Sequence, residues 1–224
     1  MFLNTYPGRG IILGLTPSGN EYVQIYFITG RSKGSKNRVM IKEKNIVRTE
    51  PYDKSIEMGN IELKIYNAAM QTENAHIITN GRQTDTVYEY LSSGRSFKEA
   101  LYQWSFEDDP PIYTPRISGI TFTDGSYKLS IIKAIEQNPD LVSRQIFSYN
   151  ASLPGKGYCV HTYSLAETCM PFTGEPFILQ VFDSVDENAE YYWNILPDDK
   201  KVALYVKHIN IKNQTIKDKI LSIY

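Results

Sequence analysis

The sequence contains little cysteine, little histidine and almost no net charge. Only two of its 224 residues are cysteines and three are histidines. Two thiols are too few for a disulfide scaffold. Because the sequence has neither CxxC pairs nor a histidine cluster, it predicts no zinc site. We interpret Cys159 and Cys169 as free thiols. The formal net charge of −1 provides no overall field that would attract nucleic acid.

Long apolar runs are also missing. No segment approaches the ~20 apolar residues of a membrane span, and residues 1–10 lack the charged segment and apolar region of a secretory signal. We therefore expect a cytoplasmic protein that does not bind a membrane. A chain of 224 residues suits one domain. Because no repeat, linker or low-complexity tract divides it, we predict a single domain over 1–224.

The sequence does contain many stretches in which apolar and polar residues alternate. Period-2 alternation rich in Val, Ile, Tyr and Phe predicts strands, which we place at 10–15, 21–29, 38–49, 61–66, 75–79, 117–123, 127–134, 142–149, 157–164 and 202–211. Capping signals predict three helices: one from Asp85 to Gly94, one opened by Ser96 with Glu99, and one opened by Ser184 with Glu187. This order of elements indicates an α+β domain with two sheets face to face and helices outside.

A basic segment with two glycines follows the second predicted strand. Residues 30–38 read GRSKGSKNR and include Arg31, Ser32, Asn37 and Arg38. Arginine can bind two phosphate oxygens at once, serine and asparagine add hydrogen bonds, and glycine lets backbone N–H groups approach an anion. The segment therefore suits a doubly charged phosphate. The alternative is a solvated hairpin loop.

Four further polar segments stand at the ends of predicted elements. They are YPGRG at 6–10, IYNAA at 65–69, TNGRQTD at 79–85 and FEDDPPIYTPRISG at 106–119. Arg9 stands between two glycines before a strand, and we expect Tyr66 and Asn67 to end one. Because these positions adjoin element ends, their side chains can be brought together.

The segment TNGRQTD leads into a predicted helix. The first turn of a helix presents unpaired N–H groups and a partial positive charge, which favour an anion or a polar amide. Asp85 can cap this helix and leave Asn80 and Arg82 for a ligand. The alternative is that Asn80 forms a turn and Arg82 faces solvent.

Three consecutive acids follow the second helix. Glu107, Asp108 and Asp109 lie between Trp104 and a pair of prolines. If these carboxyl groups are enclosed, mutual repulsion raises the pKa of one of them, as a general acid or base requires. The alternative is an exposed acidic loop, in which Arg116 pairs with one of the acids.

One histidine stands out from the other two. His161 lies between a strand pattern and a glycine loop, which makes it a candidate for ligand contact. Cys159 would point to the same face, because side chains two residues apart in a strand do so. Nothing in the sequence indicates a lowered pKa for this thiol, so we do not expect a nucleophile there.

The strings GRSKGSKNR, IYNAA, TNGRQTD and YTPRI, in this order, resemble the archaeal-type IMP cyclohydrolases, and YPGRG resembles the start of their bacterial relatives. The match spans about residues 6–119. The resemblance implies a four-layer αββα sandwich like that of the N-terminal-nucleophile hydrolases, without self-processing. The start Met1-Phe2 agrees, since it offers no terminal nucleophile.

The resemblance also implies an activity. The family closes the ring of 5-formamidoimidazole-4-carboxamide ribonucleotide, with loss of water, to give inosine 5′-monophosphate in purine biosynthesis. For this reaction our hypothesis is that Glu107 manages protons, Tyr66 donates to the formyl oxygen and Arg38 stabilises developing negative charge. Asp109 is an open alternative to Glu107, because this chain has one extra residue and two prolines in that loop.

The remaining candidates are assigned to binding the ribonucleotide. On this interpretation the phosphate or the ring carboxamide is bound by Arg31, Ser32, Asn37 and Arg38, and the base is positioned by Asn67, Asn80, Arg82 and Asp85. Arg9, Asp109, Arg116 and His161 complete the predicted set. Because the two reacting groups belong to one molecule, no metal or organic cofactor is expected. The resemblance favours a homo-oligomer.

Other functions remain open from the sequence alone. One is the hydrolysis of a different amide bond in a nucleotide-like substrate. Another is a non-catalytic purine-nucleotide-binding protein, in which the arginines hold a phosphate and Glu107 is only a loop acid. Binding of single-stranded nucleic acid is disfavoured because the chain is slightly acidic.

Overall fold

The computed structural model of the protein describes residues 6–164 and 169–224, which form thirteen β-strands and four α-helices. The strands are β1 (Arg9–Leu15), β2 (Glu21–Thr29), β3 (Val39–Glu43), β4 (Ile46–Glu50), β5 (Asn67–Gln71), β6 (Ala75–Thr79), β7 (Arg116–Phe122), β8 (Tyr127–Ile135), β9 (Asn138–Tyr149), β10 (Lys156–His161), β11 (Phe177–Gln180), β12 (Lys201–Asn210) and β13 (Ile216–Ser222). The helices are α1 (Lys33–Lys36), α2 (Gln83–Ser92), α3 (Phe97–Leu101) and α4 (Val185–Ile195), and a 3-10 turn lies at Ile61–Leu63.

The strands form two antiparallel sheets. The six-stranded sheet has the order β11-β10-β1-β2-β12-β13, and the seven-stranded sheet has the order β3-β4-β5-β6-β7-β8-β9. The second sheet is a meander, since each strand pairs with the next one in the chain. The predicted α+β class with two sheets is therefore confirmed. Among the described helices, none has both the length and the apolar composition needed to cross a membrane.

The main core lies between the two sheets. Ile11 and Leu13 of β1 belong to the same buried cluster as Ile78 of β6 and Ile117 of β7. Ile12, between the first two, belongs instead to the cluster that packs against α4. Successive side chains of a strand point to opposite faces, so β1 is apolar on both sides. That is the pattern of a strand buried between two layers.

The longer helices cover the outer faces of the sheets. Tyr192 of α4 packs in one cluster with Leu204 and Val206 of β12. Residues of α2 and α3 pack against the seven-stranded sheet, with Phe97 and Ile120 in the same cluster. Burying each apolar helix face in this way provides most of the stability of short helices, which are marginal in isolation.

Several predicted strand bounds were wrong. The stretch 38–49 is two strands, β3 and β4, because Lys44 adopts a φ of 54° and turns the chain. The stretch 61–66 begins with the 3-10 turn, in which the Glu62 amide donates to the side chain of Asn60. The strand begins at Asn67, so the segment IYNAA starts β5 and does not end a strand.

All three predicted helices are present, as α2, α3 and α4, but not every predicted cap was correct. Ser96 and Glu99 form the expected reciprocal capping box of α3, and Ser184 caps α4. Asp85 was wrong as the cap of α2, since that helix begins at Gln83 and Asp85 lies within its first turn. The chain start, on which the expectation of no self-processing rests, lies outside the described residues.

Candidate functional site

A cavity of about 280 Å³ lies where several strand ends and loops meet. Antiparallel pairing places the start of β1 beside the end of β2, with the Thr29 amide donating to the Gly8 carbonyl at 2.8 Å. The cavity is lined by Tyr6, Gly8, Arg9, Thr29, Ser35, Arg38, Asn60, Leu63, Lys64, Glu107, Asp109, Thr114 and Tyr163. Four of the fourteen predicted site residues, Arg9, Arg38, Glu107 and Asp109, are therefore brought together.

Arg9 and Glu107 form a buried two-point ion pair. Nη1 and Nη2 of Arg9 each donate to one oxygen of Glu107 at 2.9 Å, and Nη1 also donates to the Asn80 carbonyl at 2.8 Å. Arg9 is 7% exposed and Glu107 is 2% exposed. Burial alone would lower the pKa of Arg9, but Glu107, together with Tyr66 and Tyr26, more than offsets burial and the pKa is raised. Arg9 is therefore a permanent, oriented cation.

A second arginine approaches the same carboxylate. Arg116 Nη1 lies 3.8 Å from Glu107 Oε1, and its guanidinium stacks 4.6 Å from the ring centre of Trp104. Burial, with a smaller effect of Arg9, lowers the pKa of Arg116, while Glu107 opposes that shift. Arg116 also donates to Gln83 Oε1 at 3.1 Å. Arg116 lies behind the cavity and pairs with Glu107. It therefore matches the alternative in which it pairs with one of the three acids.

Asp109 is the second acid at the cavity. Its carboxyl oxygens accept from the Thr114 amide at 2.6 Å and from the Thr114 hydroxyl at 2.5 Å. The Thr114 hydroxyl also contacts the Tyr163 hydroxyl at 2.7 Å. Burial raises the pKa of Asp109 and outweighs the hydrogen bonds from Thr114, and the charge of Glu107 raises it further. A carboxyl group of this kind is suited to exchange protons.

Tyr66 lies in the core directly behind this ion pair. Its hydroxyl contacts the Tyr26 hydroxyl at 2.7 Å, and both rings are buried. The two phenols are close enough to Arg9 to contribute to its raised pKa. Tyr66 is therefore connected electrostatically to the cavity wall.

Two cations line another wall of the cavity. Arg38 is 4% exposed and its Nε donates to the Ser35 carbonyl at 2.8 Å. Lys64 donates to the Met58 carbonyl, and burial followed by the charge of Arg38 lowers its pKa. The sequence analysis missed Lys64 because it lay inside a stretch assigned as a strand. Its position directly before IYNAA was the available signal.

Other residues of the basic segment have different contacts. Ser32 caps α1 by accepting from the Ser35 amide at 3.1 Å. Asn37 is buried and binds the backbone of Asp53. Its Nδ2 donates to the Asp53 carbonyl at 2.7 Å, and its Oδ1 accepts from the Asp53 amide at 2.8 Å. Arg31 lies 4.4 Å from the ring centre of Tyr6, at the rim. Most of the segment thus builds the wall that Arg38 occupies.

The segment TNGRQTD also has mainly structural contacts. Asn80 is buried, donates to the Pro115 carbonyl at 2.9 Å and accepts from the Ile117 amide at 2.9 Å. It ties the loop before α2 to β7. Arg82 is exposed and pairs with Glu62 at 3.0 Å. It therefore faces solvent, which was the alternative to ligand binding for this residue.

Three further predicted residues lie outside the cavity lining. Asp85 accepts a hydrogen bond from Asn67 at 2.7 Å, which joins α2 to β5. His161 packs against Phe172, with ring centres 4.7 Å apart, and Nδ1 contacts the Tyr163 carbonyl. Burial lowers the pKa of His161 to about 4, so the ring is neutral near pH 7.

Several of the other lining residues missed from the sequence lie inside segments that were singled out, but Thr29, Asn60 and Leu63 do not. Gly8 belongs to YPGRG, Ser35 to the basic segment, Thr114 to YTPRI, and Tyr163 to the glycine loop and strand around His161. Their residue types carry no distinct chemical signal. Among the residues that the structure describes, no group of three or more His, Cys, Asp or Glu side chains could hold a metal ion.

The chain resembles known proteins over most of its length. A family model described as IMP cyclohydrolase-like protein matches residues 6–214, which include every residue that lines the cavity. An IMP cyclohydrolase of Methanococcus maripaludis (strain C7) is 32% identical over 127 residues, which cover 54% of this chain and 61% of the archaeal protein. The match thus spans less than two thirds of that relative. The resemblance found in the five polar segments is confirmed: the chain belongs to the IMP cyclohydrolase-like protein family.

Proposed function

We propose that this protein is an IMP cyclohydrolase. It closes the ring of 5-formamidoimidazole-4-carboxamide ribonucleotide with loss of water and forms inosine 5′-monophosphate. Membership of the family supports this activity. The observation that carries the proposal is one cavity that holds both Asp109, whose pKa is raised, and the oriented cation Arg9. A proton carrier next to a fixed positive charge is what an addition to a carbonyl carbon requires.

Arg38 and Lys64 would bind the 5′-phosphate. They lie on one wall of the cavity, and two cations complement a dianion. Ser35 lies beside them, with its hydroxyl donating to the Ser32 carbonyl at 2.9 Å. Arg31, at the rim, remains a proposed contact for the outer phosphate oxygens. This arrangement directs the imidazole toward Arg9 and Asp109.

The chemical step needs one proton carrier. The carboxamide nitrogen loses a proton and forms a C–N bond to the formyl carbon, while the formyl oxygen gains a proton. The resulting carbinol then loses its hydroxyl as water, while the former formamide N–H loses its proton and a C=N bond forms. We assign both proton transfers to Asp109, which carries the carboxamide proton to the formyl oxygen and then the formamide proton to the departing hydroxyl. Holding both reacting groups in one bound molecule supplies much of the rate.

Arg9 would stabilise the negative charge that develops on the formyl oxygen. Glu107 acts through Arg9 as a positioning residue, because both its oxygens already accept hydrogen bonds from that side chain. We therefore favour Asp109 over Glu107 for proton transfer. Tyr66 remains a proposed donor to the same oxygen, approaching from the Tyr26 side. No step requires a metal or an organic cofactor.

The finer architecture is also a proposal. The packing of α4 on one sheet and of α2 and α3 on the other favours a four-layer αββα sandwich resembling the N-terminal-nucleophile hydrolases. The core shared by both sheets favours a single domain. Exposed Ile178 on the edge strand β11 and Leu141 on the edge strand β9 favour a homo-oligomer. A role in purine biosynthesis favours the cytoplasm.

The activity is tested by incubating the purified protein with the formylated ribonucleotide. We expect ultraviolet absorbance of the purine to appear and a product that is lighter than the substrate by one water. Release of ammonia or formate without ring closure would identify a hydrolase of another amide bond. Tight binding of inosine monophosphate with no turnover would identify a non-catalytic binding protein.

Replacing Lys64 by methionine is expected to raise KM by about 10-fold to 100-fold with little change in kcat. A hydrogen bond to a charged group contributes about 1.5–3 kcal/mol, and a contact made equally in ground and transition states appears in KM alone. Steady-state kinetics on the formylated ribonucleotide measure the effect. The matched control is Lys98→Met, an exposed lysine of α3. A fall in kcat at unchanged KM would instead place Lys64 at the reacting groups.

A further inference from the structure

A second cavity, of about 320 Å³, lies between the two sheets far from the first one. Thr29, which lines the first cavity, pairs with Lys201 of β12. Lys207 lies six positions further along that strand, which corresponds to about 20 Å at the usual rise per residue. The lining is contributed by β3 to β5 on one side and by β12 and β13 on the other. This cavity is therefore separate from the proposed active site.

Lys207 is the buried amine of this cavity. It is 3% exposed. Its Nζ lies 2.9 Å from His76 Nδ1 and 3.4 Å from Gln71 Oε1. Both partners are uncharged. Gln71 has a neutral amide, and burial, followed by the charge of Lys207, lowers the pKa of His76 to about 3. Within residues 6–164 and 169–224, no carboxylate lies within 4.0 Å of this nitrogen.

The nearest acid is engaged by other groups. Asp218 of β13 is the register partner of Lys207. Its Oδ2 accepts from Lys42 Nζ at 2.5 Å and from the Tyr205 hydroxyl at 3.1 Å. Two other donors thus share this carboxylate, which forms no ion pair with Lys207. A buried ammonium group without a close carboxylate is costly, so the amine tends to lose its proton.

Some of the groups that face Lys207 raise its pKa and others lower it. Burial lowers its pKa to about 7; Asp218 from β13 opposes the shift, and Lys42 from β3 adds to it. His76 from β6 is neutral, and Tyr205 lies two residues away on the same strand. The unprotonated amine is therefore well populated at neutral pH, unlike that of an exposed lysine.

We propose that Lys207 is a nucleophilic amine that condenses reversibly with a small, uncharged aldehyde in this cavity. The amine presents a lone pair once unprotonated, and Lys42, on the opposite side of the cavity, has further N–H groups besides the one given to Asp218 with which to donate to a carbonyl oxygen. Val47, Ala69 and Ile216 supply apolar surface for a short hydrocarbon chain. An anionic ligand is disfavoured because Asp218 lines the same space.

The step is a balanced condensation. The Nζ lone pair forms a C–N bond to the carbonyl carbon, the oxygen takes a proton, and the nitrogen loses one to give a carbinolamine. The carbinolamine hydroxyl then takes a proton and leaves as water, and the nitrogen loses its remaining proton, which leaves a neutral imine between Lys207 and the aldehyde. Water reverses the reaction. No oxidant or reductant takes part, and the contact of 2.9 Å between Nζ and His76 Nδ1 orients the amine.

The test traps the imine in the full-length protein. Propanal and sodium cyanoborohydride convert any imine to a stable propylamine, and peptide mapping by mass spectrometry identifies the lysines. At about pH 7.5 an amine with a pKa near 7 is mostly neutral, whereas an ordinary lysine is about 0.1% neutral. Allowing for restricted access, we expect Lys207 to react about 10-fold faster than exposed Lys212. The ratio should fall steadily as the pH approaches 10.

Two variants complete the experiment. Lys207→Met should remove the fast phase of total labelling, and Lys212→Met should leave it unchanged. Site mapping in the wild-type protein decides the matter even if Lys207→Met does not fold. Labelling of exposed lysines while Lys207 stays unmodified, or a ratio that does not depend on pH, would overturn the proposal.

Discussion

Replacing Glu107 by alanine is expected to lower the free energy of unfolding by about 3–5 kcal/mol, because it leaves a buried cation without its counter-charge. Arg9 is 7% exposed, so solvent cannot replace the two hydrogen bonds that it loses. Arg116, 3.8 Å from the same carboxylate, would then face Arg9 with no negative charge between them. Urea denaturation of the wild-type and variant proteins measures the loss.

Two controls separate this effect from general disruption. Glu62→Ala removes an exposed carboxylate that pairs with Arg82 at 3.0 Å, and such surface pairs contribute only about 0–1 kcal/mol. The double variant Arg9→Met with Glu107→Leu should recover much of the lost stability, because it removes both charges and keeps apolar volume. Equal losses in Glu107→Ala and Glu62→Ala would show that the buried pair is not the cause.

Replacing Asp109 by asparagine is expected to lower kcat by about 10²–10⁴-fold, the usual contribution of a positioned acid or base. The amide can still accept hydrogen bonds from Thr114, so the fold should change little, but it cannot carry a proton. Asp108→Asn, next to it and exposed, is the matched control and should keep nearly the wild-type rate. Single-turnover kinetics separate this chemical step from product release.

The pH dependence gives an independent check on Asp109. The group must be unprotonated to take the first proton, so the rate falls as the pH falls through its pKa. Burial raises that pKa above the ordinary value of 3.8, which moves the acid limb of kcat to higher pH. Asp109→Asn should lack this limb. If it retains both rate and limb while a folded Glu107→Gln variant is inactive, proton transfer belongs to Glu107.

The strands were largely predictable because side chains alternate between the two faces of a strand, and the buried faces therefore appear in the sequence as alternating or continuous apolar residues. In β2, β7, β8 and β12 the alternating or continuous apolar pattern placed each strand within a residue or two. The edge strands β11 and β13 were missed, since IKDKILS mixes charges into a half-exposed surface. The error at 61–66 has a different cause: the side chain of Asn60 caps a turn, and no periodicity reports that local bond.

Site segments were predictable for a related reason. Phosphate binding and proton transfer need arginine, serine and acids, and those residue types cluster in GRSKGSKNR, YPGRG and the acidic loop. Arg38, Arg9 and Asp109 do meet at one cavity. Lys64 and Tyr163 escaped notice because a lone lysine or tyrosine in a strand-like stretch has no distinguishing neighbour.

Composition, alternation and segment order were sufficient for the α+β class, the family and the polar segments of the site. They depend on local residue types, which the sequence records directly. The different surroundings of Glu107 and Asp109 depended on the tertiary structure, because Glu107 pairs with an arginine 98 positions away, whereas Asp109 accepts hydrogen bonds from Thr114. The same holds for Lys207, because the burial that lowers its pKa to about 7 is produced only by the stacking of the two sheets.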